Sequence, residues 1–205
     1  MAPALGALIL AGGRSRRMER DKALLVWRGR TLLDHAHDLA AAMGAAPILL
    51  SGRPGGLPDP VPDLGPIGGV LSLARHWRTR RQALPARWLL LPVDMPALDV
   101  AALAPLLADG VEPVTHYAGR PLPAVLRLGS GGAEAIIEAI EGAVLAVPAE
   151  DDGRAGRRLS LHRLWARLGA PALPLAAELE EAFCNINTPA EWTRFLSRHG
   201  DAPHT

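Results

Sequence analysis

Apolar and polar positions along the chain form alternating blocks, which predict strands followed by helices. Compact and almost uniformly apolar runs that end in Gly, Ser or Pro turns are typical of buried strands. Between these runs, apolar residues recur at helical spacing, and Thr or Asp precedes several such segments in the position of an N-terminal cap. The predicted strands lie at 5–10, 24–27, 47–50, 88–93, 114–117 and 122–126, and the predicted helices at 32–43, 67–77, 100–107, 133–141, 159–168 and 189–198.

This order predicts an α/β fold in which a mostly parallel sheet lies between two layers of helices. Strands that are apolar throughout must be covered on both faces, and helices that connect parallel strands provide that cover. We expect a single three-layer α/β/α domain over residues 1–200 and a frayed tail at 201–205, because no repeat or low-complexity linker divides the chain.

Composition and charge exclude several classes of protein. The 205 residues are 49% hydrophobic, and 22 basic against 21 acidic residues give a net charge of +1. This balance provides no electrostatic reason to expect nucleic acid or a membrane as a partner. The N-terminal apolar run lacks a preceding basic region, and no run reaches the roughly 18 apolar residues of a membrane span. With Cys184 as the single cysteine, we expect a cytoplasmic protein without a disulfide within the chain.

The segment after the first strand carries the most informative chemistry. Residues 10–22 read Leu-Ala-Gly-Gly-Arg-Ser-Arg-Arg-Met-Glu-Arg-Asp-Lys. Ligands of parallel sheets bind beyond the carboxyl ends of strands, where paired glycines admit an anion to the backbone and basic side chains bind phosphate. The spacing matches neither a Walker loop nor the dinucleotide fingerprint, which needs a third glycine. A solvated basic turn is the alternative, but so many close cations favour a polyanionic ligand.

The pattern Leu-Ala-Gly-Gly-x-Ser-x-Arg-Met-x-x-Asp-Lys resembles the signature of the MobA family, the molybdenum cofactor guanylyltransferases, which have a Rossmann-like nucleotidyltransferase fold. The resemblance implies Mg²⁺-dependent transfer of GMP from GTP to the phosphate of molybdopterin or molybdenum-molybdopterin, with release of pyrophosphate. It further implies that Lys22 and Arg16 are catalytic. The nucleotide-binding residues that it implies in this segment are Leu10, Ala11, Gly12, Gly13 and Lys22.

Asp94 follows the most strand-like segment of the chain, within the sequence Pro-Val-Asp-Met-Pro at 92–96. A carboxylate at a buried strand end needs a cation or another partner, although a capping or turn aspartate is the structural alternative. The resemblance implies that Asp94 holds Mg²⁺, contacts the nucleotide and is catalytic. Mg²⁺ characteristically takes one or two carboxylates, with water and substrate phosphates as its other ligands.

Two weaker positions also resemble nucleotide contacts of the family. Asp63 lies in the segment Pro-Asp-Leu-Gly-Pro-Ile-Gly-Gly at 62–69, which resembles the family's Asp-x-x-x-Gly-Pro-Leu-x-Gly element with closer spacing. Ser51 stands at the end of the preceding predicted strand. An ordinary turn aspartate in a proline-rich loop is the alternative for Asp63.

Asn185 and Asn187 stand in Phe-Cys-Asn-Ile-Asn-Thr-Pro-Ala-Glu at 183–191, which resembles the family's Asn-x-Asn-Thr-Pro-Glu element. Side chains at i and i+2 of an extended segment point to the same side, so both amides can meet one ligand. The resemblance implies that this ligand is the acceptor pterin. The alternative is structural: Asn187 ends a strand and Thr188 caps a helix. Arg120 stands where the family has a substrate-facing loop and could hold an acceptor phosphate, but a surface arginine in a turn is the favoured explanation.

Other functions remain open from the sequence. A cytidylyl- or sugar-phosphate nucleotidyltransferase would share this loop, although CTP enzymes tend to read Leu-Ala-Ala-Gly, so Gly12 favours guanine. A non-catalytic adaptor in molybdenum cofactor delivery is favoured only by Glu19, where the family usually has glycine. For the guanylyltransferase, the resemblance also implies other molybdenum cofactor biosynthesis proteins and acceptor apoenzymes as partners. An NAD-linked dehydrogenase would need a ribose-binding acid and a third loop glycine, and neither is present.

Overall fold

Strands and helices alternate along the chain in a computed structural model that describes residues 4–12, 18, 20–58, 60, 64–108, 110, 112–145 and 160–200. Among the predicted site residues, Gly13, Arg16 and Asp63 lie outside the described residues, as do Glu19 and the predicted tail. The strands are β1 (Gly6–Leu10), β2 (Val26–Trp27), β3 (Arg30–Thr31), β4 (Ile48–Ser51), β5 (Arg87–Pro92), β6 (Val114–Tyr117), β7 (Arg120–Arg127) and β8 (Ala172–Leu173). The α-helices are α1 (Leu32–Ala42), α2 (Pro66–Arg80), α3 (Val100–Leu103), α4 (Gly132–Leu145), α5 (Leu161–Arg167) and α6 (Pro189–His199), and 3₁₀ helices lie at Lys22–Leu24, Ala104–Leu107 and Ala177–Phe183.

The central sheet has six strands in the order β4-β1-β5-β7-β6-β8. β1 pairs in parallel with β4 and β5, and β6 pairs in parallel with β8, whereas β7 is antiparallel to both β5 and β6. Five of these six strands therefore share one direction, and the prediction of a mostly parallel sheet is confirmed. β7 is reversed because the short turn at Gly119, with a φ of +70°, returns the chain directly as a hairpin.

Helices cover both faces of this sheet, which confirms the predicted three-layer arrangement. Alternate residues of β5 show the two sides: Leu89 and Leu91 belong to one buried cluster, and Trp88 and Leu90 belong to the other. The first cluster includes residues of α1, α3 and α6, and the second includes residues of α2, α4 and α5. In the described part of the chain, no helix is both long enough and apolar enough to span a bilayer.

Two predicted elements differ from those observed. The predicted strand at 24–27 is reduced to β2, which pairs with β3 in a separate two-stranded hairpin, because the 3₁₀ helix Lys22–Leu24 precedes it. Oδ1 of Asp21 accepts the backbone N–H of Ala23 at 3.1 Å, so Asp21 caps this 3₁₀ helix. The predicted helix at 100–107 continues beyond α3 only as a 3₁₀ helix, because Pro105 lacks the N–H group that an α-helix requires.

Candidate active site

A cleft of about 820 Å³ opens at the carboxyl ends of β1, β4 and β5. These strands end level with one another, since Leu10 is in register with both Ser51 and Pro92. The residues that follow each strand consequently meet at one edge of the sheet, where open α/β sheets bind their ligands. The predicted site residues that line this cleft are Leu10, Ala11, Gly12, Lys22, Ser51, Asp94, Asn185 and Asn187.

Lys22 joins two walls of the cleft. Its Nζ donates hydrogen bonds to Oδ1 of Asn187 at 2.7 Å and to Oδ2 of Asp94 at 3.2 Å. These partners are 165 and 72 positions away in the sequence. The side chains of Lys22 and Asp94 are only 16% and 25% exposed, so their ion pair is less screened than one on the open surface. The ammonium group has three N–H donors, so it can keep these contacts and still donate to a ligand.

Lys22 is also the single lysine among the 22 basic residues of the chain, the other 21 being arginine. Arginine and lysine are not equivalent here, because one ammonium nitrogen makes both contacts, whereas the donors of a guanidinium are spread over a rigid plane. This compositional signal is present in the sequence and singles out Lys22.

The C-terminal segment that carries the two asparagines is tied to the Asp94 corner and to the start of α6. The N–H of Ile186 donates to the carbonyl of Asp94 at 2.8 Å. Oε2 of Glu191 accepts the backbone N–H groups of Asn187 at 2.7 Å and of Thr188 at 2.9 Å. In return, Oγ1 of Thr188 accepts the backbone N–H of Glu191 at 3.2 Å. The predicted cap at Thr188 is therefore confirmed, and it forms a capping box with Glu191 that has one additional bond to Asn187. Asn187 does not end a strand, because residues 184–187 are irregular.

The hydrogen bonds to Glu191 also change its acidity. The bond from the backbone N–H of Asn187 is the main reason that the pKa of the Glu191 carboxyl lies below its ordinary value. Burial opposes this shift, and the bonds from Thr188 and the positive charge of Lys22 add to it. The carboxylate of Glu191 is therefore held in its charged form beside the Lys22 network.

The first loop and the end of β4 touch through two glycines, Gly12 and Gly52. A Cβ atom on Gly12 would lie 2.8 Å from the Cα of Gly52, and a Cβ on Gly52 would lie 2.2 Å from the Cα of Gly12. The N–H of Ala11 donates to the carbonyl of Ser51 at 3.1 Å just before this contact. Gly12 is thus required for packing as well as for any approach of an anion. Gly52 was not predicted as a site residue, since only the fold brings it against Gly12.

Substitution of Gly52 tests how far this contact controls the loop. Gly52→Ala should lower the free energy of unfolding by clearly more than Gly55→Ala and should weaken nucleotide binding, as measured by urea denaturation and titration calorimetry. Both glycines have positive φ, +76° and +80°, but a Cβ on Gly55 meets nothing within 4 Å. Gly55→Ala therefore isolates the conformational cost, roughly 1–2 kcal/mol. Equal losses in both variants would show that the close approach does not constrain the loop.

Asp21 and Arg53 support the segment that presents Lys22. Arg53, just beyond β4, donates to Oδ1 of Asp21, the residue that caps the 3₁₀ helix beginning at Lys22. The pair links the end of β4 to the 3₁₀ helix Lys22–Leu24. Asp21, the residue before Lys22, is therefore held in place. Asp21 belongs to the Asp-Lys end of the sequence motif, whereas no sequence signal singled out Arg53.

Asp94 is the carboxylate best placed to hold a metal ion in the cleft. Among the residues that the structure describes, no group of three or more His, Cys, Asp or Glu side chains could enclose a metal. Mg²⁺ does not need such a cage, because it binds through one or two carboxylates together with substrate phosphates and water. Asp94 lines the cleft and carries such a carboxylate. This residue fits a hard cation that arrives with a nucleotide.

A second cavity of about 300 Å³ lies beside α1 and the end of α6, and its lining includes Trp27, Leu39 and Met95. None of the predicted site residues that the structure describes lines this cavity. The predicted chemistry therefore gathers in the larger cleft.

Comparisons with known proteins give relatives of this chain in sequence and in fold. The sequence profile of the MobA-like NTP transferase domain matches residues 7–167. A molybdenum cofactor guanylyltransferase of Xanthomonas euvesicatoria pv. vesicatoria is 36% identical over 197 residues, covering 95% of each chain. One of Pseudomonas fluorescens is 33% identical over 89% of this chain and 88% of its own. The structure of molybdopterin-guanine dinucleotide biosynthesis protein A from Archaeoglobus fulgidus matches 95% of this chain and 99% of its own with a TM-score of 0.58. At 19% identity, this last likeness shows the fold.

Proposed function

The chain belongs to the MobA-like NTP transferase family, and from this premise we propose that it is a molybdenum cofactor guanylyltransferase. It transfers GMP from GTP to the terminal phosphate of molybdopterin or molybdenum-molybdopterin and releases pyrophosphate. The observation that carries the proposal is the meeting of Lys22, Asp94 and Asn187 in one cleft at the carboxyl ends of parallel strands. The names of the relatives that match nearly the whole chain support the choice of substrates.

The reaction is an in-line substitution at the α-phosphorus of GTP. An oxygen of the acceptor phosphate forms a new bond to the α-phosphorus while the bond to the oxygen bridging the β-phosphorus breaks, and pyrophosphate leaves. Because no covalent enzyme intermediate is needed, the protein acts by positioning and charge neutralisation. Lys22 donates to the α-phosphate oxygens, where negative charge develops. A divalent cation such as Mg²⁺, held by Asp94, supplies Lewis-acid stabilisation when it is bound with the nucleotide.

The backbone at the end of β1 limits how the base can be bound. The N–H of Ala11 is already bonded to Ser51, and the carbonyl of Leu10 accepts the N–H of Val93 at 3.4 Å. We therefore assign the guanine edge to the carbonyl of Ala11 and the triphosphate to the turn at Gly12. Gly13, Arg16 and Asp63 complete the nucleotide site in this proposal, and Asn185 and Asn187 receive the acceptor.

Pyrophosphate release in the presence of GTP, Mg²⁺ and molybdopterin tests the proposed function. Release should require the acceptor and should be much slower with CTP, ATP or UTP. Preferred use of CTP would instead identify a cytidylyltransferase. Binding of GTP without turnover would favour the adaptor, which only Glu19 supports. In this proposal the reaction takes place in the cytoplasm, and other molybdenum cofactor biosynthesis proteins and acceptor apoenzymes are the expected protein partners.

Glu191 has a positioning role that can be separated from helix capping. Glu191→Ala should lower kcat/KM roughly ten- to a hundredfold, because Asn187 loses the bond that orients it towards Lys22. Asp34→Ala is the matched control, since Asp34 is the acid of the α1 capping box with Thr31, outside the cleft. Both variants should lose stability, measured by denaturation, but only Glu191→Ala should lose activity. Equal kcat/KM values in the two variants would reject this role.

The same residue predicts a pH dependence of stability. The pKa of Glu191 is lower in the folded protein than in the unfolded chain, so its contribution is complete above the ordinary carboxyl pKa and is lost as the pH falls through the lowered value. The wild-type protein should therefore lose part of its stability in acid, and Glu191→Gln should lose less over that range. Identical acid profiles of unfolding would contradict the assignment.

A further inference from the structure

A groove of about 330 Å³ adjoins the active-site cleft and shares a wall with it. Arg120, Asn185 and Asn187 line both spaces, so the groove begins at the asparagines proposed to receive the acceptor. One face of α6 forms its opposite side, because residues at helical spacing line it. These residues are Glu191, Arg194, Phe195, Arg198 and His199.

The charges in the groove favour an anionic or strongly hydrogen-bonding ligand. Its two acidic residues already have partners. Glu191 accepts backbone N–H groups, and Oε1 of Glu181 lies 3.9 Å from Nη1 of Arg198. The backbone carbonyls of Arg120 and Arg194 accept hydrogen bonds, but their guanidinium groups make no hydrogen bond or ion pair with any other residue that the structure describes. Two guanidinium groups whose planar donors no described residue uses therefore line a space next to the proposed reaction centre.

We propose that this groove is the distal subsite for the acceptor, with Arg120 on its phosphate and Arg194 on its polar heterocyclic body. The proposal rests on the proposed guanylyl transfer. An in-line reaction requires the acceptor phosphate to approach opposite the leaving pyrophosphate. In the proposed site Gly12 and Lys22 bind the triphosphate just after β1. Arg120 begins β7, which β5 separates from β1, and it lines both the cleft and the groove.

The volumes of the two spaces agree with this division. The cleft holds the nucleotide, and the groove adds a space comparable to the smaller ligand sites of proteins, about 300 Å³. A phosphorylated, planar and polar heterocycle fits this description, because its phosphate can stay in the cleft while its ring lies between Asn185 and Arg194. Guanidinium groups both stack on such rings and donate hydrogen bonds to their edges.

Cys184 provides a reporter for occupancy of the groove. It is the single cysteine of the chain, it is exposed, and it lines the groove but not the cleft. Molybdopterin should slow the reaction of this thiol with N-ethylmaleimide, whereas GTP with Mg²⁺ should not. Modification should in turn raise the KM for molybdopterin and leave the Kd for GTP unchanged. Cys184→Ser should abolish labelling under all conditions and so establishes that the signal comes from this position.

Two arginine variants test the contacts themselves. Arg120→Met and Arg194→Met should each raise the KM for molybdopterin roughly ten- to a hundredfold without changing the Kd for GTP, since each removes charge-assisted hydrogen bonds. Arg78→Met is the matched control, because Arg78 is an exposed arginine of α2 that lines neither space. It should leave both constants unchanged.

The outcomes distinguish this inference from the proposed function. If the wild-type protein transfers no GMP to molybdopterin, the proposed function itself fails. If transfer occurs but both arginine variants keep the wild-type KM and molybdopterin does not protect Cys184, the groove is not an acceptor subsite. Protection of Cys184 by GTP alone would assign the groove to the nucleotide and would also overturn the inference.

Discussion

Asp94→Ala should lower the rate of guanylyl transfer about 10²–10³-fold, because it removes the carboxylate proposed to hold the cation against the triphosphate. The protein should remain folded, since Asp94 contributes its backbone carbonyl, rather than its side chain, to the bond with Ile186. Single-turnover measurement of pyrophosphate release, repeated over a range of Mg²⁺ concentrations, provides the test. Asp94→Asn should be similarly impaired, because an amide keeps the shape of the side chain but not its charge.

Asp99→Ala is the matched control for Asp94. Asp99 lies five positions further on, and its Oδ1 accepts the N–H of Ala102 at 2.8 Å as the cap of α3, away from the cleft. Its loss should cost about 1 kcal/mol of stability and leave turnover unchanged. Wild-type turnover in Asp94→Ala would remove Asp94 from the mechanism.

Lys22→Met should reduce both GTP affinity and turnover, with kcat/KM falling at least about 10²-fold. The ammonium group is proposed to contact the α-phosphate, and its removal also leaves the oxygens of Asp94 and Asn187 without their donor. Lys22→Arg should not restore activity, because a planar guanidinium does not reproduce contacts of 2.7 and 3.2 Å from one nitrogen atom. Steady-state kinetics and calorimetry with GTP and Mg²⁺ measure both effects.

The composition of the chain offers an independent readout for Lys22. Because the chain contains no other lysine, an amine reagent can modify only Lys22 and the N-terminal amino group. GTP with Mg²⁺ should protect Lys22 from modification, which peptide mass spectrometry can quantify. Lys22→Arg with full activity, or no protection by GTP, would contradict a direct contact with the phosphate.

Local patterns predicted much of the fold. The apolar runs located β1, β4 and β5, and Thr31 and Thr188 were predicted as helix caps, both of which form as capping boxes. These features depend on neighbours within a few residues, so one sequence contains them. The strand predicted at 24–27 is longer than the observed β2, because Leu24 belongs to a 3₁₀ helix. The side chains of Leu24 and Val26 are also exposed, although their apolar character indicated a buried strand.

The sequence predicted which types of residue form the site and at which strand ends they lie, but it did not predict the contacts between them. Parallel strands bring their carboxyl ends to one edge, which is why the first loop and Asp94 could be expected to meet. The bond between Lys22 and Asn187 spans 165 positions, and no local pattern determines it. The approach of Gly12 to Gly52 depends on the register of β1 with β4, and the groove depends on which face α6 turns towards Asn185.

A crystal structure of the protein with Mg²⁺ and the α,β-methylene analogue of GTP would decide whether this cleft is the nucleotide site. We expect the triphosphate at Gly12, its α-phosphate within hydrogen-bonding distance of Lys22 Nζ, and the cation on a carboxylate oxygen of Asp94. A nucleotide bound in the cavity beside Trp27, or one in the cleft whose phosphates contact neither Lys22 nor a cation on Asp94, would contradict the proposed mechanism.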